Sequence, residues 1–161
     1  MCGGEPLMQQ DLLPFIQKIK QLGFSVKLDT NGFLPKKFKE LLETGLIDYV
    51  AIDVKYELSK INTLLLSKQR TTPFLESLDL IRTSGVPYEL RTTLVKGYHT
   101  PEILEEMLPL IEGAPRYVLQ NFFTTSTMVD PDFDGQPFTQ KELEDFASIV
   151  RPHVGECIVR Y

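Results

Sequence analysis

Short β-branched apolar runs alternate with longer amphipathic stretches along this chain, and the alternation predicts repeated strand–helix units. Behind Asp11, a candidate N-cap, Leu12, Leu13, Phe15, Ile16, Ile19 and Leu22 recur at helical spacing until Gly23. Pro14 falls in the first turn, where backbone N–H groups lack helical partners in any case. Phe24–Leu28 predicts a strand that runs into Asp29-Thr30-Asn31-Gly32, and Pro35–Thr44 a second helix stopped by Gly45. Tyr49–Val54 is apolar on both faces, as a buried parallel strand is. Tyr56–Arg70 predicts a helix with an irregular exit. Thr72-Pro73 then supplies an N-cap and a proline at the first helical position, opening a helix to Ser84-Gly85. A strand over Tyr88–Leu94 follows, and Thr100-Pro101 repeats the start signal for a helix to about Leu108. Tyr117–Gln120 predicts the next strand. Asn121–Phe138, rich in Thr, Asp, Pro and Gly, predicts a long loop. Thr139 and Glu142 stand as a capping box for a helix to Val150, and Glu156–Arg160 predicts a terminal strand.

Strands alternating with helices imply a parallel sheet covered by helices, an α/β fold in one domain over residues 1–161. Right-handed crossovers place the carboxyl ends of such strands on one edge, where ligands of open α/β sheets bind. Polar residues stand at those positions. Glu5, Asp29 and Asp53 are each separated by 24 residues, one strand–helix repeat, so three carboxylates are expected at one rim, with Lys55, Arg91 and Gln120 continuing the row. Like charges gathered this way call for a cation nearby: an ammonium, a sulfonium or a metal ion. More ordinary roles are open to the same residues. Asp29-Thr30-Asn31-Gly32 is a good turn sequence whatever the function, Asp53 can pair with Lys55 or Lys27, and Arg91 shares a strand face with Glu89. His99 is expected in an exposed loop and His153 on the surface.

Composition narrows the function classes. The 161 residues carry 17 Lys+Arg against 22 Asp+Glu, a net charge of −5, which argues against nucleic acid as the main partner. No apolar run approaches the roughly 18 residues of a membrane span. The two cysteines, Cys2 and Cys157, form neither a disulfide framework nor a zinc or cluster spacing. Cys157 reads as a small buried hydrophobe, and a reducing, cytoplasmic setting is expected.

Four segments, taken in order, resemble a known family: Cys2-Gly3-Gly4-Glu5-Pro6, Leu28-Asp29-Thr30-Asn31-Gly32, Asp48-Tyr49-Val50-Ala51-Ile52-Asp53-Val54-Lys55 and Arg91-Thr92-Thr93. They are similar to the sequential motifs of radical S-adenosylmethionine (radical SAM) activating enzymes. The resemblance is to the anaerobic ribonucleoside-triphosphate reductase activating proteins, with the pyruvate formate-lyase activating enzymes as near relatives. It implies a partial parallel (β/α) barrel and a reaction in which a [4Fe–4S] cluster reductively cleaves S-adenosylmethionine. The resulting 5′-deoxyadenosyl radical takes a hydrogen atom from a glycine of a partner glycyl radical enzyme, such as anaerobic ribonucleotide reductase, and flavodoxin is an implied electron donor. Carried over by position, Gly3, Gly4 and Glu5 hold the methionyl ammonium, and Lys55 and Arg91 suit its carboxylate. Gln120 and Phe122 border the adenosine, although some relatives carry a histidine near Phe122. Asp29, Thr30 and Asp53 match the residues around a monovalent cation.

The family's Cys-x3-Cys-x2-Cys cluster loop has no counterpart in these residues, and the chain opens inside a turn. The expectation is therefore the C-terminal majority of a radical SAM core whose first βα unit lies outside the sequence, inactive by itself. The alternative is a cluster-free binding module, or a fragment that docks to a separate cluster-bearing segment. No residue here is expected to act as a general acid or base.

Overall fold

The computed structural model describes residues 4–55, 71–123 and 133–161, with only the backbone at 71 and 72. The helix expected over Tyr56–Arg70 lies outside the described residues. Five strands carry the fold: β1 (Lys27–Thr30), β2 (Tyr49–Asp53), β3 (Tyr88–Leu94), β4 (Tyr117–Asn121) and β5 (Cys157–Arg160). They form one sheet in chain order. The helices are α1 (Leu12–Gln21), α2 (Pro35–Glu43), α3 (Thr71–Thr83), α4 (Pro101–Ile111) and α5 (Gln140–Val150), with 3-10 turns at Pro6–Met8 and Arg151–His153. This is the expected helix-bearing parallel α/β architecture. Contacts divide the described residues into two compact units, residues 4–53 with 71–89 and residues 54–55 with 90–123 and 133–161.

In the first unit β1 runs parallel to β2 in the register Lys27↔Tyr49, Asp29↔Ala51 and Thr30↔Ile52. The strand begins three residues later than the apolar run predicted. Phe24 is 63% exposed, and Val26 is taken by Asp48: its N–H donates to Asp48 Oδ2 at 2.6 Å, and its carbonyl accepts from the Asp48 N–H at 3.0 Å. Lys20 donates to both oxygens of the same carboxylate at 2.8 Å, so one side chain ties the end of α1 to the approaches of β1 and β2. Asp11 occupies the N-cap of α1 but its side chain makes no capping bond. Only Leu12 and Ile16 of α1 are buried. Leu7, Val26, Leu28, Phe38, Leu41, Val50, Ile52, Phe74, Leu78 and Ile81 complete this core.

In the second unit β3, β4 and β5 are parallel, with Thr93↔Gln120 and Gln120↔Arg160 among the register pairs. Leu90, Leu94, Leu104, Met107, Leu110, Tyr117, Leu119, Leu143, Phe146 and Val150 form the core. Thr100 caps α4 by accepting from the Ile103 N–H, and the helix continues past the expected stop at Leu108 to Ile111 with Pro109 in its last turn. Burial of Leu110 and Ile111 outweighs the bond that Pro109 cannot donate. The Thr139–Glu142 capping box is present in both directions. A buried relay holds Val54 within this unit: the Thr92 hydroxyl donates to the Val54 carbonyl at 2.5 Å and lies 2.5 Å from the Tyr117 hydroxyl. Complete burial holds the Tyr117 phenol well above its ordinary pKa, so it is a neutral hydrogen-bonding group.

Candidate functional site

Residues at the carboxyl ends of β1 and β2 form the better defined part of the site. The Glu5 carboxylate reaches the end of β1. Its Oε1 accepts from the Thr30 hydroxyl at 2.8 Å and the Leu7 N–H at 3.1 Å, and its Oε2 accepts from the Asn31 N–H at 2.8 Å. Thr30 is 2% exposed, and its hydroxyl also accepts from the Gly32 N–H at 3.2 Å. Asn31 Oδ1 accepts from the Phe33 N–H at 3.0 Å, the bond that makes Asn a turn former. Gly32 has φ +74°, and a Cβ there would meet Phe74 at 3.1 Å and Ile52 at 3.3 Å. Gly4, at φ +61°, opens the facing turn. Gly3 lies outside the described residues.

Strand alternation puts Asp29 on the opposite face of β1 from Thr30. The register gives Asp29 the same face as Ala51 and Asp53, with Asp53 one pleat further along the neighbouring strand, roughly 8 Å away between Cα atoms. Lys27 and Tyr49 share this face, and Lys27 stands 4.0 Å from Asp29 Oδ1 and 2.7 Å from Glu89 Oε1. The site brings Glu5 to Thr30 and Asn31, and sets Asp29 beside Asp53 on the other face.

In the second unit, the Val54 N–H donates to the Arg91 carbonyl at 2.8 Å, and Lys55 is the exposed residue that follows. Arg91 is the fourth residue of seven in β3 and pairs with Val118, so it lies deeper than the strand end expected for it. Gln120 sits one pleat further toward the carboxyl edge, on the same face and opposite Thr93 and Arg160. Arg160 has no signal in the sequence, because strand pairing alone makes it a neighbour of Gln120. Phe122 donates its N–H to the Leu94 carbonyl, and its ring meets Phe133 edge-on at 5.4 Å. Phe133 in turn stacks on Tyr98 at 5.0 Å. Lys96 and Gln136 exchange backbone hydrogen bonds, and the Asn121 amide bonds both backbone groups of Phe138. These ties order both described ends of the expected long loop; residues 124–132 lie outside the described residues.

The histidines take no part in the site. His99 is buried, against expectation, because the turn at Gly97 folds its ring back so that Nδ1 accepts the Val95 N–H at 3.1 Å. His153 is a surface residue, its Nδ1 2.7 Å from Glu112 Oε2. Cys157 is half-buried in β5, where burial pushes its thiol up. Among the described residues no three His, Cys, Asp or Glu side chains gather to hold a metal ion, so the cation expected at Asp29, Thr30 and Asp53 gains no support. A [4Fe–4S] cluster does not fit either. Its family loop needs three thiolates close in sequence, and these 161 residues hold Cys2 and Cys157. S-adenosylmethionine is a better match to the donor set: glycine turns for close approach, and carboxylates for an ammonium and a sulfonium.

No described helix is long and apolar enough to cross a membrane. The family model of the radical SAM superfamily matches residues 1–111. A Methanocaldococcus jannaschii protein described as a glycyl-radical enzyme activating enzyme is 30% identical over 166 residues, covering 99% of this chain and 69% of that protein. A GTP 3′,8-cyclase of Helicobacter pylori is 33% identical over 110 residues, 65% of this chain and 33% of the cyclase. Among solved structures, a domain of a pyruvate-formate lyase-activating enzyme from Bacteroides vulgatus matches with TM-score 0.76 at 16% identity, over 100% of this chain and 97% of that one. SuiB of Streptococcus suis, bound to S-adenosylmethionine, matches with TM-score 0.73 at 14% identity, over 99% of this chain and 38% of SuiB. The chain belongs to the radical SAM superfamily.

Proposed function

We propose that this chain is the S-adenosylmethionine-binding part of a glycyl-radical enzyme activating enzyme. In this reading the Gly3-Gly4-Glu5 turn seats the methionyl ammonium, Asp29 and Asp53 supply negative charge beside the sulfonium, and Lys55 and Arg91 serve the methionyl carboxylate. Gln120 and Phe122 border the adenosine. The partner is a protein whose glycine receives the radical. Its identity, and the electron donor, rest on the family resemblance. When bound in such enzymes, a [4Fe–4S] cluster supplies the electron that cleaves the cofactor.

One observation carries the reading. Glu5, 25 residues away in sequence, is bonded to the turn at the carboxyl end of β1, and the next residue back from Thr30 begins the shared Asp29–Asp53 face. Two motifs of the resemblance thus become one local structure. Titration calorimetry of the chain with S-adenosylmethionine tests it. Binding is expected, weakened about tenfold or more by Asp53→Ala, which removes one charged contact in a partly shielded site. No binding by the wild-type chain, or unchanged affinity in the variant, overturns the reading.

A further inference from the structure

A cavity of about 290 Å³ opens in the second unit, at the start of α4 and along α5. It falls just under the roughly 300–1,000 Å³ of most small-molecule pockets, which is room for one long side chain rather than a nucleotide. Its floor is aromatic: Phe138 and Phe146 are both buried and meet edge-on at 4.9 Å. His99 lines it too, with the ring fixed by the Val95 N–H at Nδ1. Pro101 and Ile149 add apolar wall, and the charged part is acidic, from Glu142 and Asp145. Among the described residues no lysine or arginine lines it.

The two acids are not equivalent. Glu142 is engaged, its Oε1 by Lys96 at 2.6 Å and its Oε2 by the Thr139 N–H and hydroxyl, each at 2.8 Å. Asp145 meets the Lys141 ammonium at 3.4 Å, one turn back on α5, and the two side chains are 68% and 88% exposed. Such an exposed pair is weak and exchanges readily for another cation. The cavity therefore offers an apolar bed with a carboxylate at its exposed rim.

We infer that this cavity seats an arginine side chain of a protein partner, its aliphatic stem over the Phe138–Phe146 floor and its guanidinium on the Asp145 carboxylate. A long side chain that buries its stem and keeps its charged head near water matches that division. Arginine suits it better than lysine, because the guanidinium is weakly hydrated, lies well on aromatic surface and binds a carboxylate through two parallel hydrogen bonds. A cavity this small holds one anchor, and arginines in pockets are frequent anchors of protein interfaces. The net charge of −5 draws a basic partner. None of the lining residues is assigned to S-adenosylmethionine, so either reading can fail without the other.

Nuclear magnetic resonance titration of the isotope-labelled full chain tests the site. The probes are end-blocked Gly-Arg-Gly, Gly-citrulline-Gly and Gly-Leu-Gly peptides at millimolar concentration. The arginine peptide is expected to shift amides around Thr100 and from Asp145 to Ile149. Citrulline keeps the shape without the charge, and leucine keeps only the apolar part; each should bind about threefold more weakly or worse. Asp145→Asn, at an exposed position that leaves the fold intact, should weaken the arginine peptide about threefold or more, and Asp145→Lys should abolish its binding. No shifts at these amides, equal affinity for either control peptide, or unchanged affinity in Asp145→Asn overturns the inference. Propylguanidinium, the side chain alone, is expected to bind no more tightly than the peptide. Binding more than about threefold tighter makes this a site for a free small molecule and overturns the protein anchor.

Discussion

Glu89 is only 2% exposed, yet it carries a carboxylate on the polar face of the sheet. Lys27 reaches it from β1, passing over the Tyr49 ring at 5.2 Å and donating to Oε1 at 2.7 Å, while the Tyr49 hydroxyl lies 3.4 Å from Oε2. A buried carboxylate deprived of its ammonium costs more than the pair contributes, because desolvation is no longer offset. Lys27→Met is therefore expected to destabilise the chain by about 2–3 kcal/mol, somewhat below the figure for a wholly buried pair because Lys27 is 39% exposed. Adding Glu89→Gln should recover part of the loss, since a neutral amide is cheaper to bury than a charge. Urea midpoints of the three proteins check this, and a loss under about 0.5 kcal/mol for Lys27→Met removes the argument. Nothing in the sequence pointed to this pair. Lys27 and Glu89 are 62 residues apart, and no periodicity links them. Local signals fared better, as the Asn31 turn shows: its side chain bonds the backbone two residues on, a contact set by residue type alone.

At the scale of elements, the same contrast between local and long-range causes decides what was readable. The capping box at the start of α5 was legible because both partners are three residues apart. The start of β1 was not, because Asp48, from 22 residues downstream, claims the Val26 N–H. The cap also has a pH signature. Lys96, donating to Glu142 Oε1 at 2.6 Å, together with the Thr139 N–H and hydroxyl, lowers the Glu142 pKa from 4.5 to about 2. A carboxylate whose folded pKa is depressed stabilises the fold fully above its unfolded value, and loses that contribution as pH falls through the folded one. Glu142→Gln should therefore be less stable than wild type by a constant margin above about pH 5. The margin should shrink below pH 4.5 and vanish near pH 2, a window taken from the two values of this group. Urea denaturation at a series of pH values measures it, and a margin unchanged down to pH 2 excludes the Lys96–Glu142–Thr139 contacts as its source.

Across the whole molecule, the charge balance bears on what can be bound. The alternation of apolar runs was enough to give the parallel α/β class, because each strand–helix repeat must bury one face. It could not say where the charges would end up, which depends on pairing between repeats. Lys20, Lys27, Lys96, Arg116 and Arg151 each lie 2.6 to 2.8 Å from a carboxylate oxygen, so these five cations are locally neutralised. With a net charge of −5, the remaining field is negative. S-adenosylmethionine carries an ammonium, a sulfonium and a carboxylate, hence one net positive charge near pH 7, whereas S-adenosylhomocysteine, without the sulfonium, is neutral overall. Lowering ionic strength from 0.15 M to 0.01 M lengthens the screening distance from about 8 Å to about 30 Å, so charges beyond the site begin to act on a cationic ligand. The affinity for S-adenosylmethionine should then rise about two- to fivefold, while that for S-adenosylhomocysteine changes by less than about twofold. Calorimetric titrations of both ligands at the two salt concentrations make the comparison. Equal salt dependence for the two would mean that the negative field of the chain does not act on the sulfonium, and would leave the Asp29–Asp53 face without its assigned role.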